Sequence, residues 1–196
     1  MPYINKTKKT KSRLQNSLIL LLQKINFENI TIADISNQAK VNRATFYRYY
    51  HDKYEILEEI QQEFFSEITP IHTQEIQHAD SIEQLIQVRE KSLRALLSII
   101  QKHRFLLKGL LNSDSQTQFV ERLRNFLSVD IEELKSLQSH TSLDKQYEVE
   151  LLQIYSSHSL TGTISYWIRN DSIPLETVVD FIIKMSPEIL YNTTIK

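Results

Sequence analysis

Leu14, Leu18, Leu21, Leu22 and Ile25 recur at helical spacing and predict a first helix with one buried stripe. Residues 1–6 lack such a pattern and are read as unstructured, and Lys6 to Arg13 is a basic lead-in. Asn26 to Ile30 closes the helix, with Phe27 and Ile30 turning inward. Thr31, three residues before Asp34, fits a capping box, with Ile30 and Ile35 at the staple positions around it. The helix opened there is predicted to reach Ala39. Lys40-Val41-Asn42 makes a turn, Asn42 caps a second short helix over Arg43 to Tyr50, and Val41 with Phe46 repeats the staple. Asp52 with Glu55 then opens a helix at Lys53. Its apolar face is Ile56, Leu57, Ile60, Phe64 and Ile68, and it is expected to end before Pro70.

Residues 71–79 are polar and carry no clear period. Ser81 with Gln84 caps a fifth helix through Leu85, Val88, Leu96 and Leu97 to about Ile100. A shorter helix follows from His103 to Leu111. Another runs from Gln116 through Phe119, Leu123, Phe126 and Leu127 to about Leu137, before a loop over Ser139 to Asp144. A long helix is predicted from about Lys145 to Ile168, broken by Asn170-Asp171-Ser172. Pro174 is tolerated in the first turn of the last helix, which carries Val178, Phe181, Ile182, Met185, Ile189 and Leu190. Pro187 kinks or shortens that helix. The pattern predicts an all-α chain of about nine helices, with a three-helix head on a helical bundle.

Composition supports this reading. The chain has 196 residues with two glycines (Gly109, Gly162) and four prolines, too few breakers for a turn-rich β fold. A hydrophobic content of 41% is enough for a packed core. The absence of cysteine excludes disulfides and thiolate metal sites and fits a reducing cytoplasm, the expected location. The run Leu18 to Leu22 is too short for a signal peptide, and no stretch approaches the roughly 20 apolar residues of a membrane span. Charge is unevenly divided: residues 1–54 carry a net +7 and residues 55–196 a net −8. A basic head on an acidic body points to a polyanion as partner for the head alone.

Two short helices across a three-residue turn form a helix-turn-helix. At roughly 100° per residue, Phe46 and Tyr50 share the side that faces Ile35 and Ala39. Ala44, Thr45, Tyr47 and Arg48 point away, and this set suits a major groove. Arg48 can place two hydrogen bonds on guanine O6 and N7, and a methyl of Ala44 or Thr45 can touch thymine. Tyr47, Tyr49 and Lys53 offer donors to phosphate oxygens. Lys53 stands at a helix N-terminus, where the dipole also attracts an anion. Thr31, Lys40, Asn42 and Arg43 complete the candidate DNA-binding set. Lys8, Lys9 and Lys11 can reach flanking phosphate or the minor groove, or simply form a solvated face.

On these residues, Thr31 to Leu57 resembles the DNA-binding segment of the tetracycline-repressor (TetR) family of bacterial regulators. The matching features are Thr31-Ile32 before Ile35 and Ala39, Val41 after the turn, and the run Thr45-Phe46-Tyr47-Arg48-Tyr49-Tyr50 followed by Lys53. The family usually has glycine in the turn where this chain has Lys40. Lysine does not adopt positive φ without penalty, so strain or a reshaped turn is expected there. The resemblance covers roughly the first third of the chain. It implies residues 1–52 as a DNA-binding domain and 53–196 as an effector-binding and dimerisation domain, with the helix from Lys53 as the lever between them.

The resemblance also implies dimerisation through the last two long helices, for which Leu151, Tyr155, Ser159, Gly162, Phe181 and Met185 are the candidates. Small residues around Ser156 to Thr163 would let helices approach closely, within one subunit or between two. An effector pocket implied in the same way draws on His103, Arg104, Phe105, Phe119, Phe126, Tyr147, Tyr155 and Trp167, each of which also suits ordinary core packing. The six histidines show no metal spacing, and no nucleophile elbow, P-loop or GxGxxG is present. No enzyme activity, cofactor or metal is expected. Two functions fit. One is a dimeric regulator, usually a repressor, released from a palindromic operator by a small molecule. The other is a DNA-binding protein of the same fold controlled by a protein partner.

Overall fold

A computed structural model describes residues 2–73, 82–111, 116–128 and 146–186. Among these residues the chain forms nine α-helices, one 3-10 turn and no strand. The helices are α1 (Pro2–Leu22), α2 (Ile32–Gln38), α3 (Arg43–Tyr47), α4 (Lys53–Thr73), α5 (Ile82–Lys102), α6 (Arg104–Leu111), α7 (Gln116–Leu127), α8 (Gln146–Arg169) and α9 (Leu175–Lys184), with the 3-10 turn over Phe27–Asn29. No described helix is long and apolar enough to cross a membrane. Ser81, the loop at 139–144 and the segments around 129–137 and Pro187 lie outside the described residues.

Two compact units emerge from the packing. The first holds residues 1–67 and 103–119, the second 68–102 and 120–196. In the first, Leu14, Leu18 and Leu22 of α1 are buried with Ile35 and Ala39 of α2, Phe46 of α3, and Tyr50. Phe27 and Ile30 fold inward as their spacing predicts. Ile56, Leu57, Ile60 and Phe64 of α4 and Leu106, Leu107, Leu110 and Leu111 of α6 complete the core. Gly109 lets α6 approach α1: a Cβ there would lie 2.9 Å from Leu22 Cβ and 2.6 Å from Gln23 Nε2. Gln23 also donates to the Phe105 carbonyl at 2.8 Å.

In the second unit, α9 packs on both α5 and α8. Leu93, Leu96, Leu97 and Ile100 of α5, Ile164, Trp167 and Ile168 of α8, and Val178 and Val179 of α9 are buried. Trp167 Nε1 donates to the Ile173 carbonyl at 2.9 Å, closing the turn between α8 and α9. Arg94 pairs with Glu90 one turn earlier at 2.8 Å and with Glu176 at the start of α9.

Several helix limits differ from those the pattern suggests. The first helix begins at Pro2, not after residue 6; proline is compatible with a first turn, where its missing N–H has no helical partner. It ends at Leu22, so Ile25 is exposed and Leu21 only half-buried. α4 runs through Pro70 to Thr73. Pro70 sits in the last turn on an exposed face, where water can reach the carbonyl that loses its N–H partner. α3 stops at Tyr47 rather than Tyr50: the Phe46 carbonyl accepts from both Tyr49 and Tyr50 N–H, a tightened last turn that brings Tyr50 into the core.

Candidate nucleic-acid interface

Local caps set the two short helices. Thr31 Oγ1 accepts from Asp34 N–H at 3.2 Å and the Asp34 carboxylate accepts from Thr31 N–H at 2.9 Å, a complete capping box. The two side chains also bond each other at 2.6 Å. These bonds to Thr31, the side-chain one first, hold the Asp34 carboxyl below its ordinary pKa. α2 ends in a Schellman motif: Lys40 N–H reaches the Asn37 carbonyl and Val41 N–H the Ser36 carbonyl, each at 3.0 Å. Lys40 occupies the left-handed position with φ 52°. Asn42 Oδ1 then accepts from Ala44 N–H at 2.9 Å and starts α3. Asp52 Oδ1 accepts from Glu55 N–H at 2.9 Å, and Glu55 accepts from His51 N–H at 2.6 Å, at the start of α4.

With Phe46 and Tyr50 buried, the outer face of α3 stands clear. Arg43, Ala44, Tyr47 and Arg48 are exposed, Tyr47 by 56%, and Thr45 and Tyr49 are half-buried beside them. Lys40 and Asn42 are exposed at the turn and Thr31 at the start of α2. This brings nine of the candidate residues to the surface of the helix-turn-helix.

Lys53 is placed differently. Its ammonium donates to the carbonyls of Phe27 and Glu28 at 2.8 Å and of Ile30 at 3.0 Å, and lies 4.7 Å from the Phe27 ring centre. All three N–H donors therefore have acceptors within the head. Tyr54 packs edge-on against Phe27 and bonds Glu28 at 3.1 Å. Lys11 pairs with Glu59 at 2.8 Å and lies over the Tyr50 ring. Burial first, then Glu59, pushes the Tyr50 phenol far above its ordinary pKa, so it stays neutral. Lys8 and Lys9 are exposed.

Sequence reasoning missed Arg13. From α1 it donates to the carbonyls of Ala39 and Lys40, 26 and 27 residues away. Only its place one residue before the buried Leu14 hints at this, and spacing along one helix cannot show which turn of another helix it meets.

Of the residues considered for an effector, His103 and Phe119 come together against Phe64, at 5.7 and 6.1 Å between ring centres. His103 also bonds Glu67 at 2.7 Å. Arg104 and Phe126 are half-buried, Trp167 is core, and Phe105, Tyr147 and Tyr155 are exposed. The residues considered for a subunit interface, Leu151, Tyr155, Ser159 and Gly162 on α8, Phe181 on α9 and Met185 at the end of α9, are all exposed. Two clefts open on these helices. One of about 110 Å³ includes Tyr155, Ser159 and Met185. The other, of about 440 Å³, includes Gly162, Tyr166 and Trp167. Phe181 borders both.

Comparison with known proteins agrees with the all-α fold and its N-terminal helix-turn-helix. Residues 20–60 match the model of bacterial regulatory proteins of the tetR family, and residues 89–187 match a transcriptional regulator C-terminal region. An uncharacterized HTH-type transcriptional regulator, YxbF, of Bacillus subtilis strain 168 is 22% identical over 161 residues. The match takes in 82% of this chain but only 40% of that protein's length. A TetR transcriptional regulator from Streptococcus agalactiae 2603V superposes with a TM-score of 0.65 at 24% identity, covering 94% of this chain and 97% of the other. The dihydroxyacetone kinase operon activator DhaS does so with a TM-score of 0.57 at 18% identity, covering 95% and 97%.

Proposed function

This chain belongs to the TetR family of bacterial regulators and is a DNA-binding transcriptional regulator, and from that premise we propose that it represses transcription by binding a palindromic operator as a homodimer. The observation that carries this reading is the outer face of α3, where Arg43, Ala44, Tyr47 and Arg48 stand exposed above a buried Phe46. Residues 1–52 act as the DNA-binding part and 53–196 as the regulatory and dimerising part, a division of function distinct from the packing units. Dimerisation uses the outward faces of α8 and α9. The two copies of α3 then enter successive major grooves roughly 34–36 Å apart, so the operator is an inverted repeat. A small, partly apolar effector bound in the regulatory part releases the DNA, and by linkage the DNA opposes the effector equally.

A second reading, control by a protein partner, is favoured by the exposure of Phe105, Tyr147 and Tyr155, three of the aromatic residues expected to meet a ligand. Selecting fragments of host genomic DNA on the purified protein tests the common part. Enrichment of an inverted repeat with two-chain stoichiometry supports the proposal, and enrichment of no sequence overturns it. Release of the selected fragment by a small molecule rather than by a protein decides between the two modes of control.

A further inference from the structure

Lys40 is the one non-glycine residue with positive φ among the described residues. The left-handed conformation crowds Cβ against the following carbonyl, so a lysine there needs support that glycine would not. The Schellman bonds to Asn37 and Ser36 supply part of it. They leave the Ala39 and Lys40 carbonyls, at the negative end of α2, without a helical N–H. Arg13 donates to both, at 3.1 Å for Lys40. Its own helix is fixed at this point: the neighbouring Leu14 is fully buried and Ser17 Oγ donates back to the Arg13 carbonyl at 2.7 Å. A single guanidinium thus ties α1 to the two peptide groups that turn α2 into α3.

We propose that Arg13 is a positioning residue for DNA recognition, holding the left-handed Lys40 turn and so the angle at which α3 is presented. This rests on the reading of α3 as the recognition helix. Arg13 touches no base. It narrows the range of α3 orientations, and the effect is counted twice when two copies must fit one duplex.

The test uses four full-length proteins: wild type, Arg13→Met, Lys40→Gly and the double variant. Methionine keeps much of the stem and removes the donors; glycine removes the need for them. Affinity for the DNA fragment selected on the wild type is measured at several salt concentrations, with amide exchange at Val41, whose N–H closes the turn. Arg13→Met is expected to weaken binding on the order of tenfold with Lys40 present, but less than about twofold with glycine there. The salt dependence stays as in wild type, and Val41 exchange quickens only in the Lys40 background. Equal losses in both backgrounds would overturn the proposal. So would a salt slope lower by about 0.9, because that marks Arg13 as a phosphate contact. Arg48→Ala serves as the control for the underlying reading. If it leaves sequence preference intact while Val41 exchange still couples Arg13 to Lys40, the role of α3 in recognition fails and the hold on the turn survives.

Discussion

In α3 the inward Phe46 is fully buried and the outward Tyr47 and Arg48 sit among polar and charged neighbours. In α8 the inward Ile164 and Trp167 are equally buried, yet the outward face repeats large apolar groups: Leu151 is 64% exposed, Tyr155 63% and Tyr166 63%. The two glycines draw the same contrast. A Cβ on Gly109 would collide with the end of α1, whereas one on Gly162 would meet nothing within 4 Å. The head's exposed surface is polar and basic around a buried Phe46, as the proposed contact with DNA requires. Among the described residues the outward face of α8 and α9 carries several large exposed apolar groups, and such groups gathered on one face mark an interaction surface.

The largest expected effect breaks the head from inside. Phe46→Ala removes the ring that holds α3 on its neighbours, at a cost of roughly 3–5 kcal/mol. Urea denaturation should show that loss, and binding to every DNA sequence should fall together. A variant that keeps its stability but loses sequence preference would mean that Phe46 is not the floor beneath the reading face.

The other surface is probed through Gly162. Because a Cβ there meets nothing within 4 Å, Gly162→Leu should fold normally and disturb only a partner helix. If the wild type dimerises as proposed, sedimentation is expected to show Gly162→Leu as a monomer, with the dimer weakened by about 2–4 kcal/mol. Gly109→Ala is the matched control: it should lower stability by about 1–3 kcal/mol through overpacking against Leu22 and leave association unchanged. A Gly162→Leu protein that dimerises as before would remove the contrast between the two glycines.

Within the head, substituting Arg48 and Lys53 tests the proposed contact with DNA against support of the fold. Arg48→Ala should cost on the order of 1–3 kcal/mol per half-site and relax preference at one base pair. Lys53→Ala removes a charged donor from three carbonyls, so a loss of about 1–3 kcal/mol in head stability is expected. Binding to all sequences at several salt concentrations, beside a thermal melt, tests this. A flatter salt dependence with unchanged melting would return Lys53 to the phosphate role its place at a helix start suggests.

The place of Lys53 shows what was legible in the sequence and what was not. The capping box at Thr31, the Asn42 cap and the Asp52–Glu55 pair are bonds between residues two to four apart, and each could be read from spacing. The inward stripe of α1 was legible for Leu14, Leu18 and Leu22 because helical period alone decides it. Arg13 on the Ala39 and Lys40 carbonyls, Lys53 on the Phe27 turn and Gly109 against Leu22 join elements far apart in the chain. Their partners depend on how the helices cross, which no local pattern carries. The positive φ at Lys40 was legible as a problem, since the turn needs glycine's freedom; its support from α1 was not.

The smallest effect concerns the cap itself. Asp34 accepts from Thr31 N–H and from the Thr31 hydroxyl, and these bonds favour its charged form, lowering its pKa from the ordinary 3.8. A carboxylate with a depressed folded pKa stabilises the fold fully above its unfolded pKa. That contribution is lost as pH falls through the folded value. Asp34's contribution to head stability should therefore stay constant from neutral pH down to about pH 5 and then fall on further acidification. Asp34→Asn should lower stability slightly at neutral pH, because the amide is a weaker acceptor, and flatten the profile on the acid side. Thermal melts of both proteins across this range measure the difference between them, which isolates Asp34 from the other carboxylates. Parallel profiles would assign the acid sensitivity elsewhere. Glu55, holding His51 N–H at 2.6 Å at the start of α4, would then be the next carboxylate to substitute.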